Sequence, residues 1–379
     1  MTSIEKKYFI DSGCLGRNNA PCSDYLITKW GDLDFIKNYT VLINVHLTDA
    51  TLLLIDLFLA SGANITTTCS PELVMRSEVR TLLSDKVRHV EYNDFINNYI
   101  HEDFDVIVDC GGYLADKLQP NIFFVELTHV PSWRYAKTKK PVLNIDASLI
   151  KLLETGFGTG DGFVRAIDTV YKQYGKVFTD AKYMIFGFGK VGEGVCFCLN
   201  QAGVLKENII VIEINKKQLS KANKTGYQGY DLYSDIFAIK KLLDFDISCV
   251  VTATGIANVI SKNLDKSYFD KVDFLTNIGT YDEWGDKFNE DLIENKKRPL
   301  NFMLHYPTAI KYLDPVFALL VYATKYCIDN EDEYKNSFSI FTPKLELERE
   351  LLDVWLKKFP QLKYALSSLL QNKQLIDEV

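Results

Sequence analysis

The sequence predicts an α/β protein with two doubly wound, Rossmann-like domains and a C-terminal helical return. Three observations predict this fold class. The chain has 379 residues, which is long for a single hydrophobic core. Short apolar runs alternate with helical patterns in two separate sets along the chain. In the second set, a glycine-rich turn at Gly187–Gly194 ends one apolar run and opens a helix.

The first set of elements, over residues 40–160, predicts one α/β domain. After Pro307 the chain is apolar and helical over Val316–Tyr326, which predicts a return to this domain, so we expect 1–165 and 308–379 to form one substrate-binding and catalytic domain. The amphipathic stretch Lys344–Lys358, stopped by Pro360, predicts a helix on the outside of the domain or against a partner subunit. The predicted elements of the first set are strands at Thr40–Val45, Asn64–Thr68, Val106–Val108 and Pro141–Ile145 and a helix at Thr51–Ser61.

The second set, over residues 175–305, predicts a doubly wound nucleotide domain. In such sheets the ligand lies beyond the carboxyl ends of the strands, so the loops that follow the strands form the site. Those loops are Gly187–Gly192, Ala253–Ile256 and Asn277–Asp282. The predicted elements are strands at Lys182–Phe186, Ile209–Ile214, Ile247–Thr252 and Phe274–Ile278 and a helix at Ile236–Leu243.

The glycine-rich turn has the spacing of a dinucleotide-binding loop. Gly187 permits a tight turn, Gly189 lets the backbone approach a pyrophosphate, and Gly192 lets the helix lie close to the strand. The helix that starts near Lys190 directs unpaired N–H groups toward the phosphates. Glu213, at the end of the next strand, suits a ribose diol and repels a 2′-phosphate, which favours NAD over NADP. The alternative is a glycine-rich turn without a nucleotide. The cofactor-binding residues predicted from these loops are Gly187, Gly189, Lys190, Val191, Gly192, Glu213, Ile214, Asn215, Thr254, Gly255, Asn277, Ile278 and Gly279.

Composition limits the classes of partner. The net charge of −7 argues against nucleic acid or an anionic membrane surface as a partner. No apolar run is long enough for a membrane span, and the first residues have no apolar signal region, so we expect a cytoplasmic protein. The eight cysteines, Cys14 among them, are scattered without zinc-binding spacing. We therefore expect free thiols and no metal site.

Several segments resemble those of S-adenosylhomocysteine hydrolase (adenosylhomocysteinase), in the same order, over residues 40–355. The glycine turn is similar to that family's Gly-Tyr-Gly-Asp-Val-Gly-Lys-Gly, and Asn277–Asp282 to its Asn-Ile-Gly-His-Phe-Asp loop. Further similar segments are Val45–Thr48 (His-Met-Thr), Asp109–Gly112 (Asp-Asp-Gly-Gly), Glu126–Thr128 (Glu-Glu-Thr), Asn144–Lys151 (Asn-Val-Asn-Asp-Ser-x-x-Lys), Pro307 (Gly-His-Pro) and Phe341–Leu345 (Leu-Pro-x-x-Leu).

The resemblance implies a two-domain enzyme that keeps its NAD during turnover. In that family NAD oxidises a ribose hydroxyl, a thiol is eliminated, water adds, and the hydride returns. Carried over by position, Lys151 is the candidate for assisting hydride transfer, which requires a closed, partly desolvated site. His46 is the candidate proton donor to the leaving group, and Asp109 a candidate base or hydroxyl ligand. Their structural alternatives are a solvated helix lysine, a hydrogen-bonded core histidine and a turn cap.

Five further residues follow from the resemblance. Thr48 and Thr128 would orient ligand hydroxyls, and we assign Thr128 to the cofactor. Thr48, Glu126 and His305 are the candidates for binding substrate. Glu154 is a fourth catalytic candidate, since it stands close to the family's Asp-Asn pair.

The chain departs from the family pattern at the substrate side. Cys110 replaces the second aspartate of Asp-Asp-Gly-Gly, and Leu127 the second glutamate of Glu-Glu-Thr. The Lys-x-x-x-Tyr tail that reaches a neighbouring protomer's cofactor is absent from Leu375–Val379. The cofactor loops match the family pattern more fully than the substrate site does. The resemblance therefore supports NAD as cofactor more than it supports the family's substrate. We expect a homo-oligomer, a dimer or tetramer, as is usual in the family.

Three functions remain open at this point. The leading hypothesis is an enzyme that oxidises a secondary alcohol or amine carbon of a small polar substrate with NAD, in a cleft between the domains. The second is authentic hydrolysis of S-adenosylhomocysteine or a related nucleoside thioether. The third is a non-catalytic NAD-binding protein.

Overall fold

The structure, a computed structural model, describes residues 19–31, 34–128, 132–334, 338–363 and 366. Cys14 and Leu375–Val379 lie outside the described residues. The chain divides into two compact units. Unit 1 comprises residues 1–153 and 310–379, and unit 2 comprises residues 154–309. The roles predicted for the two domains stay predictions.

Each unit is built on a parallel sheet. Unit 1 has a seven-stranded sheet in the order β12-β6-β5-β4-β1-β2-β3, and unit 2 a five-stranded sheet in the order β11-β10-β7-β8-β9. The strands are β1 (Thr40–Asn44), β2 (Asn64–Thr68), β3 (Arg88–His89), β4 (Val106–Asp109), β5 (Phe123–Glu126), β6 (Val142–Asn144), β7 (Tyr183–Phe186), β8 (Ile209–Ile212), β9 (Gln228–Tyr230), β10 (Cys249–Thr252), β11 (Phe274–Asn277) and β12 (Ile340–Phe341).

Helices connect the strands of each sheet. The α-helices are α1 (Pro21–Trp30), α2 (Leu52–Ala60), α3 (Ser77–Arg80), α4 (Tyr92–Asp94), α5 (Ser132–Tyr135), α6 (Thr159–Gln173), α7 (Lys190–Gln201), α8 (Lys216–Thr225), α9 (Ile236–Phe245), α10 (Val259–Asn263), α11 (Ile310–Asp329), α12 (Glu331–Tyr334) and α13 (Leu345–Lys358). Short single-turn segments of other helix types lie between them.

The predicted fold class is confirmed, because both units are parallel sheets with helical crossovers and the described part of the chain after residue 309 returns to unit 1 with the helices α11 and α13. The central strands β4, β5, β7 and β10 are buried along their whole length, so they are near-continuous apolar runs, as strands covered on both faces must be. The predicted strand Asn64–Thr68 has the observed bounds, and the other predicted strands differ by a few residues at their ends.

Helix α6 is not indicated by the sequence pattern, because it opens with two glycines. These glycines serve packing. A Cβ at Gly160 would lie 2.4 Å from the Gly194 carbonyl oxygen, and one at Gly162 would lie 2.1 Å from the Pro307 carbonyl oxygen. The glycines lower the intrinsic stability of the helix, but they allow close backbone contacts within unit 2.

Helix α13 does not need another protomer to cover its apolar face. Leu347, Leu351 and Trp355 are buried, and the Trp355 indole N–H donates to the Lys311 carbonyl of α11 at 2.6 Å. The Cys22 thiol of α1 donates to the Leu351 carbonyl at 3.4 Å. The three helices α1, α11 and α13 thus pack together within unit 1.

A buried carboxylate joins two of these helices. Asp314, inside α11, accepts the backbone N–H of Cys22 at 2.8 Å and that of Ser23 at 2.9 Å, together with the Ser23 hydroxyl. These N–H groups belong to the first turn of α1, whose amides have no partner within the helix. Asp314 therefore acts as a long-range N-cap for α1.

Asp314→Ala is expected to destabilise the protein by about 2–4 kcal/mol, since it leaves buried donors without an acceptor. Asp329→Ala, which removes an exposed ion-pair partner of Lys325 on the same helix, should cost under about 1 kcal/mol. Urea denaturation of both variants at neutral pH measures the difference. Equal loss in the two variants would contradict the capping role.

Candidate functional site

A row of polar side chains crosses the sheet of unit 1 at the carboxyl ends of its strands. Strand pairing aligns Asn44 with Thr68 and with Asp109, Asp109 with Glu126, and Glu126 with Asn144. Because residues in register point to the same face of a sheet, these five side chains share one face. The sequence analysis identified Asp109 and Glu126 in this row but not Asn44, whose strand-end position was the available signal.

Asp109 is fully buried and its carboxylate holds the turn that follows β4. Its Oδ1 accepts the Cys110 N–H at 2.9 Å and the Asn44 amide at 2.7 Å, and its Oδ2 accepts the Leu114 N–H at 2.7 Å. Burial raises the pKa of this carboxyl, and these donors oppose the rise. The contacts are those of a turn cap, the structural alternative, and a catalytic role for Asp109 stays a prediction.

Glu126 is likewise buried and likewise bound to backbone. Its Oε1 accepts the N–H groups of Gly111 and Thr128, each at 2.8 Å, and the Thr128 hydroxyl at 2.9 Å. Its Oε2 accepts the Tyr135 hydroxyl at 2.9 Å. Burial raises the pKa of Glu126 and the neighbouring Asp109 raises it further. Glu126 and Thr128, both predicted to bind ligand, thus bind each other.

Arg134 braces the same turn and is not indicated by the sequence analysis. Its guanidinium donates to the Gly111 carbonyl at 2.6 Å and lies 3.9 Å from the centre of the Tyr113 ring. Its positive charge opposes the rise in the pKa of Asp109. Arg134 contacts the rings of Tyr113 and Trp133. In the sequence, nothing distinguishes this arginine from one on the protein surface.

His46 follows β1 and is held by the loop after β2. Its Nδ1 accepts the Val74 N–H at 2.9 Å, so the neutral ring carries its proton on Nε2. The loop is anchored in turn, since the Ser70 N–H donates to the Asn44 amide oxygen at 2.9 Å. Burial, followed by the positive charge of Lys151, lowers the pKa of His46 to about 4. At neutral pH His46 is therefore an uncharged hydrogen-bond donor through Nε2.

Lys151 is not the solvated lysine that was its structural alternative. It is 1% exposed and stands at the start of the helical segment after β6. Its backbone N–H donates to the Ser148 hydroxyl at 3.2 Å. Its charge acts on both His46 and Cys110, which places the three side chains in one neighbourhood of unit 1.

Cys110 takes the place of the family's second aspartate in this neighbourhood. It is buried, and burial followed by the charge of Glu126 raises the pKa of its thiol, while Lys151 and a hydrogen bond with Thr128 lower it. It directly follows Asp109, the last residue of β4. The thiol is uncharged at neutral pH, whereas an aspartate there would have been an acid or base.

The other predicted catalytic and substrate residues belong to both units. Thr48 is buried in unit 1, where its N–H donates to the Thr51 hydroxyl at 2.9 Å, and the same hydroxyl donates to the His46 carbonyl at 2.6 Å. Glu154 and His305 both belong to unit 2. Glu154 is half-buried, and His305 is exposed with its ring 4.5 Å from that of Tyr306. Their assigned roles stay predictions.

In unit 2 the glycine loop has the geometry expected of a phosphate cradle. Gly187 has φ of 96°, which favours glycine, and a Cβ at Gly192 would lie 2.0 Å from the Gly187 carbonyl oxygen. Gly189 precedes α7, and a Cβ there would meet nothing within 4 Å. The first turn of α7, with Lys190 and Val191, therefore opens onto free space that a phosphate group could fill.

Glu213 follows β8 and is held rigidly beside this loop. One carboxylate oxygen accepts the Phe188 N–H and the other the Asn215 N–H, both at 2.7 Å. Each oxygen keeps a lone pair for a ribose hydroxyl. Asn215 caps α8 by accepting the Lys217 N–H at 3.0 Å, and Ile214 beside it is exposed.

The loop after β10 is bound by a residue that the sequence analysis did not single out. Glu283 is buried and accepts the Thr254 N–H at 2.8 Å, the Thr254 hydroxyl at 2.7 Å and the Gly255 N–H at 2.7 Å. A cofactor would therefore meet a loop whose amides already have an acceptor. The sequence signal that could have identified Glu283 is its position directly after the predicted Asn277–Asp282 loop.

Asn277 organises the loop after β11. Its amide oxygen accepts the Thr252 hydroxyl at 2.9 Å and the Gly279 N–H at 3.1 Å. Its amide nitrogen donates to the carbonyls of Tyr281 at 2.9 Å and Lys297 at 2.6 Å. The side chain thus joins the loop to β10 and to Lys297, and Ile278 next to it is buried. Binding of cofactor by Asn277, Ile278 and Gly279 stays a prediction.

The described residues contain neither a group that could hold a metal ion nor a helix that could span a membrane. No group of three or more His, Cys, Asp and Glu side chains in the described ranges could hold a metal ion. Among the helices that the structure describes, none is long and apolar enough to cross a membrane. The described cysteines are free thiols.

Comparison with known proteins finds relatives of one kind. No protein-family model matches the chain. A curated relative from Methanopyrus kandleri, named S-inosyl-L-homocysteine hydrolase, is 25% identical over 293 residues, which is 69% of this chain and 64% of that protein. The protein of the same name from Methanocaldococcus jannaschii is 24% identical over 296 residues, which is 71% of this chain and 68% of that protein. The chain spans about 64% of the length of the first of these relatives.

Solved structures show a distant similarity. A dipicolinate synthase chain from Bacillus halodurans covers 75% of this chain and 98% of its own length at 12% identity, with a TM-score of 0.48. An L-alanine dehydrogenase covers 85% of this chain and 99% of its own length at 11% identity, with a TM-score of 0.39.

Unfolding as a function of pH tests the environment of His46. Because its pKa lies below the unfolded value of 6.5, its neutral form stabilises the fold, and this contribution is lost as pH falls from about 6.5 to about 4. The wild type should lose more stability between pH 7 and pH 5 than His46→Gln. The exposed His101→Gln serves as control and should follow the wild type. Parallel losses in all three proteins would contradict a buried, neutral His46.

Gly189→Ala tests the phosphate cradle without a steric conflict inside the protein. Gly189 has β-region backbone angles, which alanine adopts freely, and its Cβ would enter only the space beside the first turn of α7. We expect unchanged thermal stability without ligand and NAD binding weakened about tenfold or more, a loss of about 1.4 kcal/mol. Calorimetric titration with NAD measures this, with the exposed Ser220→Ala as control. Equal NAD affinity in both variants would remove Gly189 from the site.

Proposed function

Because the chain is a diverged, adenosylhomocysteinase-like protein, we propose that it is an NAD-dependent enzyme with an altered substrate site. It oxidises a secondary alcohol or amine carbon of a small polar substrate. The observation that carries this proposal is Lys151, a lysine 1% exposed beside a neutral histidine. Burying a lysine is costly, and such residues are concentrated at functional sites.

NAD fits the residues of unit 2. Gly189 leaves room where a side chain would stand, the first turn of α7 offers backbone N–H groups, and Glu213 is held ready for a ribose diol. When bound, NAD supplies the oxidising power by accepting two electrons and the hydrogen of the substrate C–H bond. The preference for NAD over NADP follows from the carboxylate of Glu213, which would repel a 2′-phosphate.

Side chains of unit 1 accept the substrate proton and orient the substrate. Lys151 takes the proton that leaves the substrate hydroxyl or amine, which requires Nζ first to give up a proton of its own. His46 Nε2–H donates a hydrogen bond to the substrate and orients it. Lys151 and Cys110 are buried and His46 is half-buried, which keeps bulk water from competing for these contacts.

Simple oxidation suits these groups better than elimination and hydrolysis. Elimination of a thiol needs an acid that protonates the leaving group, and a histidine with a pKa of about 4 is almost wholly unprotonated at neutral pH. The family's neighbouring carboxylates are replaced by the uncharged Cys110 and Leu127. Net removal of hydrogen requires only one proton acceptor and the cofactor.

Hydrolysis of a nucleoside thioether is the second candidate, favoured by the name that the two curated relatives share. Incubating the full chain and NAD with S-inosyl-L-homocysteine or S-adenosyl-L-homocysteine tests it directly. Release of inosine or adenosine would support hydrolysis and contradict simple oxidation. No nucleoside at high enzyme concentration would remove this candidate. A non-catalytic NAD-binding protein would give neither nucleoside nor NADH with any substrate.

The proposal is tested first by the cofactor content and the absorbance at 340 nm. Nucleotide released from denatured protein measures whether NAD is retained. A screen of hydroxy acids, amino acids and nucleosides with added NAD then identifies compounds that produce NADH. NAD-dependent oxidation of one such compound supports the proposal, and NAD that neither binds nor is reduced overturns it.

Lys151→Met should lower the rate of NAD reduction by the true substrate at least about a hundredfold, in the range lost with a general base. NAD affinity should stay near the wild-type value, because the cofactor residues of unit 2 are unchanged. Lys357→Met, at an exposed position of α13, is the control and should retain full activity. Unchanged activity in the Lys151 variant would remove this lysine from the mechanism.

A further inference from the structure

The segment that carries Lys151 is held by a residue far away in the sequence. Glu348, in the first turn of α13, is 5% exposed. Its Oε2 accepts the backbone N–H of Leu149, and also that of Ile150 at 3.1 Å. These two residues directly precede Lys151. One carboxylate oxygen thus binds both amides at the start of the helical segment.

The same stretch of chain is attached to the sheet a few residues earlier. Strand β12 pairs in parallel with β6, aligning Ile340 with Val142 and Phe341 with Leu143. The Val142 N–H also donates to the Ser339 carbonyl at 2.8 Å. The C-terminal part of unit 1 therefore binds the segment 142–151 at two places, along β6 and just before Lys151.

This double attachment bears directly on where the lysine lies. The first amides of a helical segment have no partner within it, so they need an acceptor from elsewhere. The Ser148 hydroxyl accepts the hydrogen bond of the Lys151 N–H, and the Glu348 carboxylate accepts those of Leu149 and Ile150. With all three amides bound, the backbone at Lys151 is fixed, and this sets the point in unit 1 from which its side chain extends.

We propose that Glu348 is a positioning residue for Lys151: by binding the amides of Leu149 and Ile150, it keeps the lysine side chain beside His46. The catalytic importance of this placement rests on the proposed function. The placement itself does not, and it can be measured without a substrate.

The His46 titration reports the position of Lys151. The chain has five histidines, so the His46 resonance can be assigned in the NMR spectrum of the full chain by comparison with His46→Gln. The charge of Lys151 lowers the pKa of His46. Lys151→Met should therefore raise the His46 pKa, and any displacement of the lysine should raise it in part.

Glu348→Ala is expected to raise the His46 pKa by about 0.5–1 unit, since Lys151 moves away. Loss of the Glu348 charge alone would act in the opposite direction, because removing a negative charge lowers the pKa of a histidine. Glu348→Gln keeps an acceptor oxygen and should show a smaller rise. Glu346→Gln, at an exposed position of the same helical turn, should match the wild type.

The double variant Lys151→Met/Glu348→Ala separates positioning from general loosening of the fold. With Lys151 removed, Glu348→Ala should cause no further rise in the His46 pKa. A rise of the same size in both backgrounds, or an unchanged His46 pKa in folded Glu348→Ala, overturns the proposal. If Glu348→Ala does not fold, Glu348→Asp decides, since its shorter side chain withdraws the carboxylate and a wild-type His46 pKa there overturns the proposal too.

The two proposals fail separately. A moved His46 pKa in a protein that never reduces NAD supports positioning and contradicts catalysis. An active enzyme whose His46 pKa is insensitive to Glu348 contradicts positioning and supports the proposed function.

Discussion

Buried carboxylates that accept backbone N–H groups hold the loops on which both candidate sites depend. Asp109 and Glu126 bind the turn after β4, Glu283 binds the loop after β10, and Glu348 binds the segment before Lys151. Charge-assisted hydrogen bonds of this kind are stronger than bonds between neutral groups. Loops at the carboxyl ends of parallel strands have no ladder partners of their own, so these carboxylates supply their order.

This use of carboxylates changes how the polar residues of unit 1 are understood. The carboxylates of Asp109 and Glu126 accept hydrogen bonds from amides and hydroxyls of the protein itself. The proposed function assigns the chemistry to Lys151 and His46, and the charge of Lys151 lowers the pKa of His46. A site with one buried amine and one neutral imidazole suits removal of hydrogen better than a reaction that must also expel a leaving group.

Strongly apolar strands and the glycine loop could be predicted from the sequence, whereas short or glycine-containing elements could not. The bounds of Asn64–Thr68 could be predicted because its four consecutive β-branched residues favour a strand. Gln228–Tyr230 contains a glycine and no apolar run, and pairing with β8 makes it a strand. The residues of the cofactor loops could be named from spacing, but the hydrogen bonds of the Asn277 side chain to Thr252 and Lys297, outside its loop, could not.

The sequence by itself determined the two α/β sets, the turn at Gly187 and the helix opening after Gly189, because backbone freedom and apolar runs act over a few neighbouring residues. Only the tertiary structure decided that Lys151 is buried, that His46 is neutral and that Glu283 occupies the amides of its loop. Glu348 binds amides 198 and 199 residues away in the chain. Burial and such long-range hydrogen bonds depend on which segments meet in space, and local sequence pattern does not encode that.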